Sequence, residues 1–165
     1  QRVISLMGHS TLLRDRAKEL LNRADYLLNK TYLLVKEEKI FLSVMRHLIV
    51  CVNTLVDLVL YIAKVKEQIS EVPKINPKKL RYLHNLKNKF GLSKNQLYFF
   101  DELIQTYSKI LEIEDAMNEE LIQFKRHGKY VICKKDYKVE VISYSSLNQM
   151  LRKCKQLLAF IEKNF

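Results

Sequence analysis

The stretch from Ile40 to Val65 constrains the fold more than any other part of this 165-residue chain. It is the longest apolar segment, and at helical spacing its apolar residues cover two adjoining faces. Only a narrow polar stripe remains, which includes Arg46, Asn53 and Asp57. A helix that is apolar around most of its girth is normally buried among other helices. The stretch therefore predicts the central helix of a soluble bundle.

The same stretch is long enough to span the roughly 30 Å of a membrane's hydrocarbon core. However, Arg46, His47 and Asp57 lie in its middle, and a charged group there costs about 2.5–3.5 kcal/mol on insertion scales. No second segment offers a partner span, so we expect no membrane association. The three cysteines lack ligand spacing and have apolar neighbours, which is typical of reduced thiols and favours a cytoplasmic protein.

Periodicity along the chain predicts an all-α fold, with one domain over residues 1–165 that contains five helices. Only three Gly and two Pro occur, so the chain has few places to turn. The clearest loop holds both prolines, Pro73 and Pro77. Residues 1–8 are expected to be disordered or to come from the expression vector. The helices are expected at about 10–36, 39–69, 77–90, 94–127 and 146–164.

Two local patterns refine this outline. Ser93 and Gln96 match a capping box that would begin the fourth helix, and Gly128 is expected to end it. Residues 137–143 then alternate strictly and are rich in β-branched side chains, which predicts a strand. We expect a β-hairpin near 130–143 that turns at 134–136. Because an isolated hairpin is marginally stable, one of its faces should pack on the bundle.

The formal net charge is +11, from 29 Lys and Arg against 18 Asp and Glu. A basic balance of this size favours polyanionic partners such as RNA or DNA, or an acidic protein. The opposing interpretation is that lysine simply covers the surface, as it does in proteins from AT-rich or thermophilic genomes.

Two basic runs concentrate this charge. From Lys74 to Lys94 there are seven cations and no acid, and from Lys125 to Lys138 there are six cations and one Asp. Tyr82 and His84 lie within the first run, which suits phosphate contact combined with stacking on unpaired bases. A solvated surface is the alternative, and an interface requires that the runs converge on one face. The predicted nucleic-acid-binding residues are Lys74, Lys78, Lys79, Arg81, Lys87, Lys89, Lys125, Arg126, Lys129, Lys134 and Lys135.

Other chemistry finds less support in the sequence. The glycines are too few and too scattered for a phosphate-binding loop, and the four histidines lack metal-ligand spacing, so we expect no cofactor and no metal. Arg46, His47 and Asp57 lie on or beside the polar stripe of the central helix, and Glu114 points inward from the fourth. If these helices pack together, the four groups line one cleft and form a general acid–base set. The alternative is an ion pair or a solvated stripe.

The layout also resembles the HEPN superfamily of small helical bundles. The resemblance rests on a long antiparallel pair (AKELLNRADYLL, then RHLIVCVNTLVDLVLY), a short Leu- and Lys-rich helix (LHNLKNKFGLS) and a long fourth helix, within about Leu12 to Glu120. Active members of that family are metal-independent RNases that dimerise and place an Arg-x4–6-His motif from each subunit in a shared cleft. Here the fourth helix contains neither Arg nor His, and Arg2 to His9 has the spacing at the wrong end of the chain. The resemblance therefore implies a non-catalytic member that binds RNA or partners another protein, such as a nucleotidyltransferase.

These observations predict a non-enzymatic binding module for nucleic acid, foremost RNA, or for an acidic protein partner, acting as a homodimer. Two alternatives stay open. One is a metal-independent RNase or other hydrolase that uses Arg46, His47, Asp57 and Glu114. The other is a structural or regulatory subunit that docks through an apolar groove larger than about 400 Å².

Overall fold

The structure is a computed structural model that describes residues 2–89, 91–118, 123–133 and 138–165, with side chains from residue 8 onward except at 123, 124 and 126. In these residues five long helices surround one core, and a small antiparallel sheet lies at one end. The predicted all-α bundle with a β-hairpin is therefore confirmed. Helix α1 comprises Arg2–Tyr26, a π-helical turn Leu27–Thr31 and a last turn Tyr32–Val35. The other elements are α2 (Lys39–Val65), α3 (Asn76–Lys87), α4 (Lys94–Asn118), β1 (Gln123–Arg126), β2 (Lys129–Cys133), β3 (Val139–Ile142) and α5 (Tyr144–Asn164).

Helix α2 is the centre of the molecule, as its apolar girth predicts. Helices α1, α3, α4 and α5 and strand β2 all pack against it. Phe41, Leu48, Leu55 and Leu58 are fully shielded from solvent, and burial of this kind stabilises the fold by roughly 1.5–3 kcal/mol per large side chain. Of the described helices, α2 alone is long and apolar enough to cross a membrane, and most of it is buried inside the protein.

Three side-chain contacts show that α1 and α2 run antiparallel. The Tyr32 ring lies 4.5 Å from the Phe41 ring near one end. Cys51 Sγ approaches the backbone oxygen of Ala17 near the middle, at 3.8 Å. The His9 ring lies 4.3 Å from the Tyr61 ring at the other end. Helix α1 therefore packs along α2 from its first turns, and it begins at Arg2 rather than at about residue 10.

Helix α5 closes the bundle by packing antiparallel to both α1 and α4. Lys155 Nζ lies 2.9 Å from Asp25 Oδ2, and Lys18 Nζ lies 2.6 Å from Glu162 Oε1. Helices α5 and α1 therefore run in opposite directions. Its N-terminus is capped by Ser143, whose Oγ accepts from the backbone N–H of Ser146 at 3.1 Å. Ser146 Oγ accepts from the Ser143 N–H in return, at 2.9 Å, which completes a capping box. The helix thus begins two residues before the predicted 146.

The π-helical turn of α1 carries a polar network that joins it to α5. Asn29 Nδ2 donates to Asp25 Oδ1 at 2.6 Å and to Asn148 Oδ1 at 3.1 Å. The Tyr144 hydroxyl donates to Asn29 Oδ1 at 2.6 Å. The side-chain hydrogen bonds of Asn29 are therefore taken up within the bundle, which gives the widened turn a structural role in positioning α5.

The second helix ends at Val65 rather than at about 69, and the largest error in the predicted boundaries is at the end of the fourth helix. Helix α4 is described to Asn118, and residues 123–126 form strand β1 instead of the predicted helical turn at 123–127. Strand β1 pairs antiparallel with β2, and Arg126 lies opposite Lys129. His127 and Gly128 have φ values of 51° and 72°, the left-handed pair that a two-residue type I′ hairpin requires. Gly128 therefore turns a hairpin rather than ending a helix.

The predicted hairpin near 130–143 is confirmed as β2 and β3, which pair antiparallel from Tyr130 opposite Ile142 to Cys133 opposite Val139. Its expected turn at 134–136 lies outside the described residues. The sheet order is β1-β2-β3, and the sheet packs on α2, α4 and α5. Ile132 and Ile142 are the side chains that seal it to the core, since both are almost fully buried. The capping box at Ser93 and Gln96 is also confirmed.

Candidate nucleic-acid interface

The first predicted basic run lies mainly on α3, and folding brings carboxylates to several of its cations. Lys78 Nζ lies 2.7 Å from Glu71 Oε1 in the preceding loop. Lys87 forms an ion pair with Asp101 of α4. The run holds no acid in sequence, so these partners come from outside it. Cations in such pairs contribute little net field to an approaching phosphate.

Lys79 is the most deeply placed cation of the run. Its side chain is only 12% exposed, and its Nζ lies 2.7 Å from Oδ1 of Asp57 on α2. That oxygen makes no contact with hydrogen-bond geometry among the described residues, so the attraction is that of two close charges. Lys79 therefore ties α3 to α2. The prediction that it contacts nucleic acid does not fit this position.

Three cations of the run, Lys74, Arg81 and Lys94, are exposed and have no carboxylate partner among the described residues. Lys89 is exposed as well, but its Nζ donates to the backbone oxygen of Gln68 at 2.9 Å. The solvent-facing charge of α3 is therefore much smaller than its composition indicates.

The aromatic side chains of this run differ in their access to solvent. Tyr82 is half-buried, the Lys78 Nζ lies 5.9 Å from its ring centroid, and its hydroxyl donates to Glu71 Oε1 at 3.4 Å. These contacts occupy Tyr82, so the ring is poorly placed to stack on a base. His84 is exposed on the outer face of α3. Among the described residues of the run, it is the aromatic group that faces solvent.

The second basic run follows β1 and β2. Lys125 and Lys129 are both exposed, and neither has a partner among the described residues. They lie on either side of the turn at His127 and Gly128, which is exposed too. The side chain of Arg126, and Lys134 and Lys135 as a whole, lie outside the described residues. Within the described part of the chain, the tip of the β1–β2 hairpin thus presents lysine to water without neutralising acids.

The two runs lie beside different parts of α4. The α3 contacts reach Asp101 in its first half and Tyr107 at its middle. The sheet approaches its second half, where Lys109 Nζ lies 3.8 Å from Glu140 Oε1 of β3, and β1 comes after its described end. The candidate interface is therefore the hairpin tip, and Lys74, Arg81 and Lys94 form a separate group of exposed cations.

Asp57 and Glu114, two members of the alternative acid–base set, lie near the buried Tyr107. The Tyr107 hydroxyl donates to Asn76 Oδ1 at 3.0 Å. Burial, with smaller contributions from the negative charges of Asp57 and Glu114, raises the pKa of Tyr107 to about 12. Because a phenol with that pKa stays protonated at neutral pH, this cluster is a structural polar contact between α3 and α4.

The other two members, Arg46 and His47, lie elsewhere on α2. His47 Nδ1 lies 2.7 Å from the backbone oxygen of Ser43 and donates to it. Arg46 is exposed. Asp57 follows about 15 Å further along the helix axis, at 1.5 Å per residue. The structure therefore does not bring the four groups into one cleft, as a general acid–base mechanism would require.

His47 instead borders a shallow cleft of about 670 Å³ along the outer face of α1. Tyr26 forms part of the cleft wall, and Asp15 and Glu19 supply two carboxylates. Glu19 pairs with Arg23 one turn later, at 2.5 Å. Lys18 and Arg23 also line the cleft, so its two carboxylates are matched by two cations and it offers no excess positive charge to an anionic ligand.

Comparisons with known proteins found no relative of this chain. No family model matches the chain, and neither the curated proteins nor the solved structures contain a match. In the described residues, no three His, Cys, Asp or Glu side chains come together as a metal site would require.

Proposed function

We propose that the protein is a non-enzymatic binding module that contacts single-stranded nucleic acid, foremost RNA, through its exposed cations. The observation that carries the proposal is the hairpin tip, where Lys125 and Lys129 face solvent with no carboxylate partner among the described residues. Such cations displace the counterions condensed on a phosphate backbone, which supplies most of the affinity in non-specific nucleic-acid binding. A chain with a net charge of +11 also attracts a polyanion over distance.

An acidic protein partner would use the same cations, and it is the second candidate for that reason alone. The two candidates differ in what else the ligand offers, because nucleic acid adds bases that stack on exposed aromatic rings. The hydrolase alternative receives no support from the positions of Arg46, His47, Asp57 and Glu114. A cytoplasmic location, a homodimer and membership of the HEPN superfamily belong to the same proposal as predictions.

Fluorescence anisotropy with a labelled, unstructured RNA of about 12 nucleotides tests the proposal directly. We expect binding at low salt that weakens steeply between about 50 and 200 mM, because each phosphate contact releases counterions. Unlabelled RNA should displace the probe at a lower charge concentration than polyglutamate does, and the RNA should stay intact. Absence of binding at low salt would overturn the proposal. Equal displacement by polyglutamate would favour the acidic protein partner, and cleavage would favour the hydrolase.

A further inference from the structure

A second cleft, of about 430 Å³, lies between the start of α4 and the end of α5. The two helices are held together there by the ion pair of Lys153 with Glu102 and by the Phe99 and Phe160 rings, which stack at 4.5 Å with an interplanar angle of 11°. Its walls combine aromatic, amide and cationic side chains: Asn95, Tyr98, Gln156, Ala159, Phe160, Lys163 and Asn164.

One aromatic residue of this cleft, Phe160, is held in place by neighbouring aromatic rings. Phe160 lines the cleft and also packs into a cluster with Phe99 and Phe165, so its ring has little freedom to move. Tyr98 stands beside it and is 65% exposed. Phe160 is thus the fixed ring, and Tyr98 is the solvent-exposed ring whose face a planar ligand can reach.

The amide groups supply hydrogen bonds of both kinds. Asn95 and Gln156 each carry an amide that can donate and accept, which matches the mixed donors and acceptors on a base edge. Asn164 uses one hydrogen for the backbone oxygen of Phe160, at 3.0 Å, and keeps its carbonyl oxygen. The cleft can therefore form hydrogen bonds with the polar edge of a ligand as well as apolar contacts with its faces.

The charge of the cleft is positive. Lys163 is its one charged lining residue, and no acid in the described residues pairs with it. The nearby acids are occupied elsewhere. Glu162 pairs with Lys18 at 2.6 Å, Asp101 pairs with Lys87, and Glu102 pairs with Lys153. An anionic ligand thus meets an unpaired lysine and neutralised carboxylates.

The cleft on α1 makes the contrast plain. Tyr26 is 65% exposed, the same fraction as Tyr98, and it too lies on a helix at the edge of a cleft. That cleft, however, contains Asp15 and Glu19. Exposure of a tyrosine is therefore common to both places, whereas the amide-rich and acid-free lining belongs to the α4–α5 cleft.

We propose that the α4–α5 cleft binds a nucleobase of a nucleotide, with the base stacked on Tyr98, its edge bonded by the amides, and its phosphate directed to Lys163. The choice of a strand as the source of that nucleotide rests on the proposed function. The recognition chemistry is the same for a free nucleotide, so the test separates the two sources.

The test compares Tyr98→Ala with Tyr98→Phe and with the matched control Tyr26→Ala. Stacking on one aromatic ring is worth about 1–3 kcal/mol per base, so Tyr98→Ala should weaken binding of unstructured RNA by about 5- to 150-fold. Tyr98→Phe keeps the ring and should bind within about twofold of the parent, as should Tyr26→Ala. A base-free polyphosphate probe should bind the parent and Tyr98→Ala equally. Circular dichroism checks that each variant is folded, which the exposure of both tyrosines favours.

The outcomes separate the two proposals. If the parent binds RNA and Tyr98→Ala binds it equally well, the cleft proposal is wrong and the cationic surface stands. If the parent does not bind RNA, the proposed function fails, and AMP and UMP are titrated by NMR. Tyr98-dependent binding of those nucleotides would then support the cleft as a free-nucleotide site, and no binding would overturn it.

Discussion

The basic run on α3 and the basic run on the β1–β2 hairpin look alike in sequence, yet their surroundings differ. On α3, Lys78, Lys79 and Lys87 each meet a carboxylate from another element. On the hairpin, Lys125 and Lys129 stand in solvent without one among the described residues. A lack of acids within a run therefore says little about its free charge, because the fold supplies acids from distant positions. The difference also divides the lysines into those that stabilise the bundle and those available to a ligand.

The largest expected effect concerns Tyr107, which lies where α3 meets α4. Its pKa is about 12 in the folded protein and 10.0 in the unfolded chain, so this tyrosine favours the fold fully below pH 10. That contribution is lost as the pH rises from 10 towards 12, at about 1.4 kcal/mol per pH unit. Urea unfolding at pH 9 and pH 12 should show a drop that is smaller in Tyr107→Phe by roughly 2.3 kcal/mol. An equal drop in both proteins would contradict the buried polar role of this contact.

Removal of Asp57 should come next. Asp57→Ala leaves Lys79, with its 12% exposed side chain, without its partner charge, and we expect a loss of about 2 kcal/mol in the free energy of unfolding. Asp101→Ala is the matched control, since its pair with Lys87 is more exposed and surface pairs contribute less than about 1 kcal/mol. Urea denaturation measures both. Equal losses would show that Lys79 is no more structural than Lys87.

Substitution of the hairpin lysines should reduce RNA affinity and leave the stability of the fold unchanged. Lys125→Gln combined with Lys129→Gln should weaken RNA binding by about tenfold at low salt, because two phosphate contacts are lost. The unfolding free energy should stay within about 0.5 kcal/mol of the parent, as both side chains are exposed. Arg16→Gln combined with Lys39→Gln, which removes two exposed cations from α1 and α2, is the control. The same loss of affinity in that control would mean that net charge alone governs binding.

The smallest effect is expected at Lys78. Its pairing with Glu71 raises the pKa of Lys78 and lowers that of Glu71, but both groups are solvated. Lys78→Gln should leave the urea midpoint unchanged within error and should alter RNA affinity by less than about twofold, since its charge is already matched. A loss as large as that of the hairpin variant would show that pairing does not remove a lysine from the interface.

The architecture followed from the sequence where one physical signal dominated. The apolar girth of Ile40–Val65 predicted the central helix, and the alternation after Tyr137 predicted the hairpin of β2 and β3. Strand β1 was not predicted because Leu121 and Phe124 continue the helical spacing of α4, and because the four residues of β1 are too few to show a period of two. His127 and Gly128 were the available signal, since a two-residue turn before a β-branched run is a hairpin pattern.

The candidate site was less accessible to sequence reasoning. The basic composition of both runs was visible, but the acids that neutralise α3 are contributed by the preceding loop, α2 and α4. Tyr98 was also overlooked. It lies outside the inward stripe of α4, and an aromatic residue on the solvent side of an amphipathic helix is a signal that periodicity alone can provide. Except for Asn95, which is on α4 itself, its amide and lysine neighbours come from α5, so only the packing of the two helices reveals them.

The most direct test of the free-lysine account is the salt dependence of RNA affinity in the parent and in the hairpin double variant. Each phosphate contact to a single strand contributes about −0.7 to the slope of log K against log salt. We expect the double variant to have a slope shallower by about 1.4, while Lys78→Gln keeps the slope of the parent. Identical slopes in the parent and the hairpin variant would contradict the account, because Lys125 and Lys129 would then make no phosphate contacts.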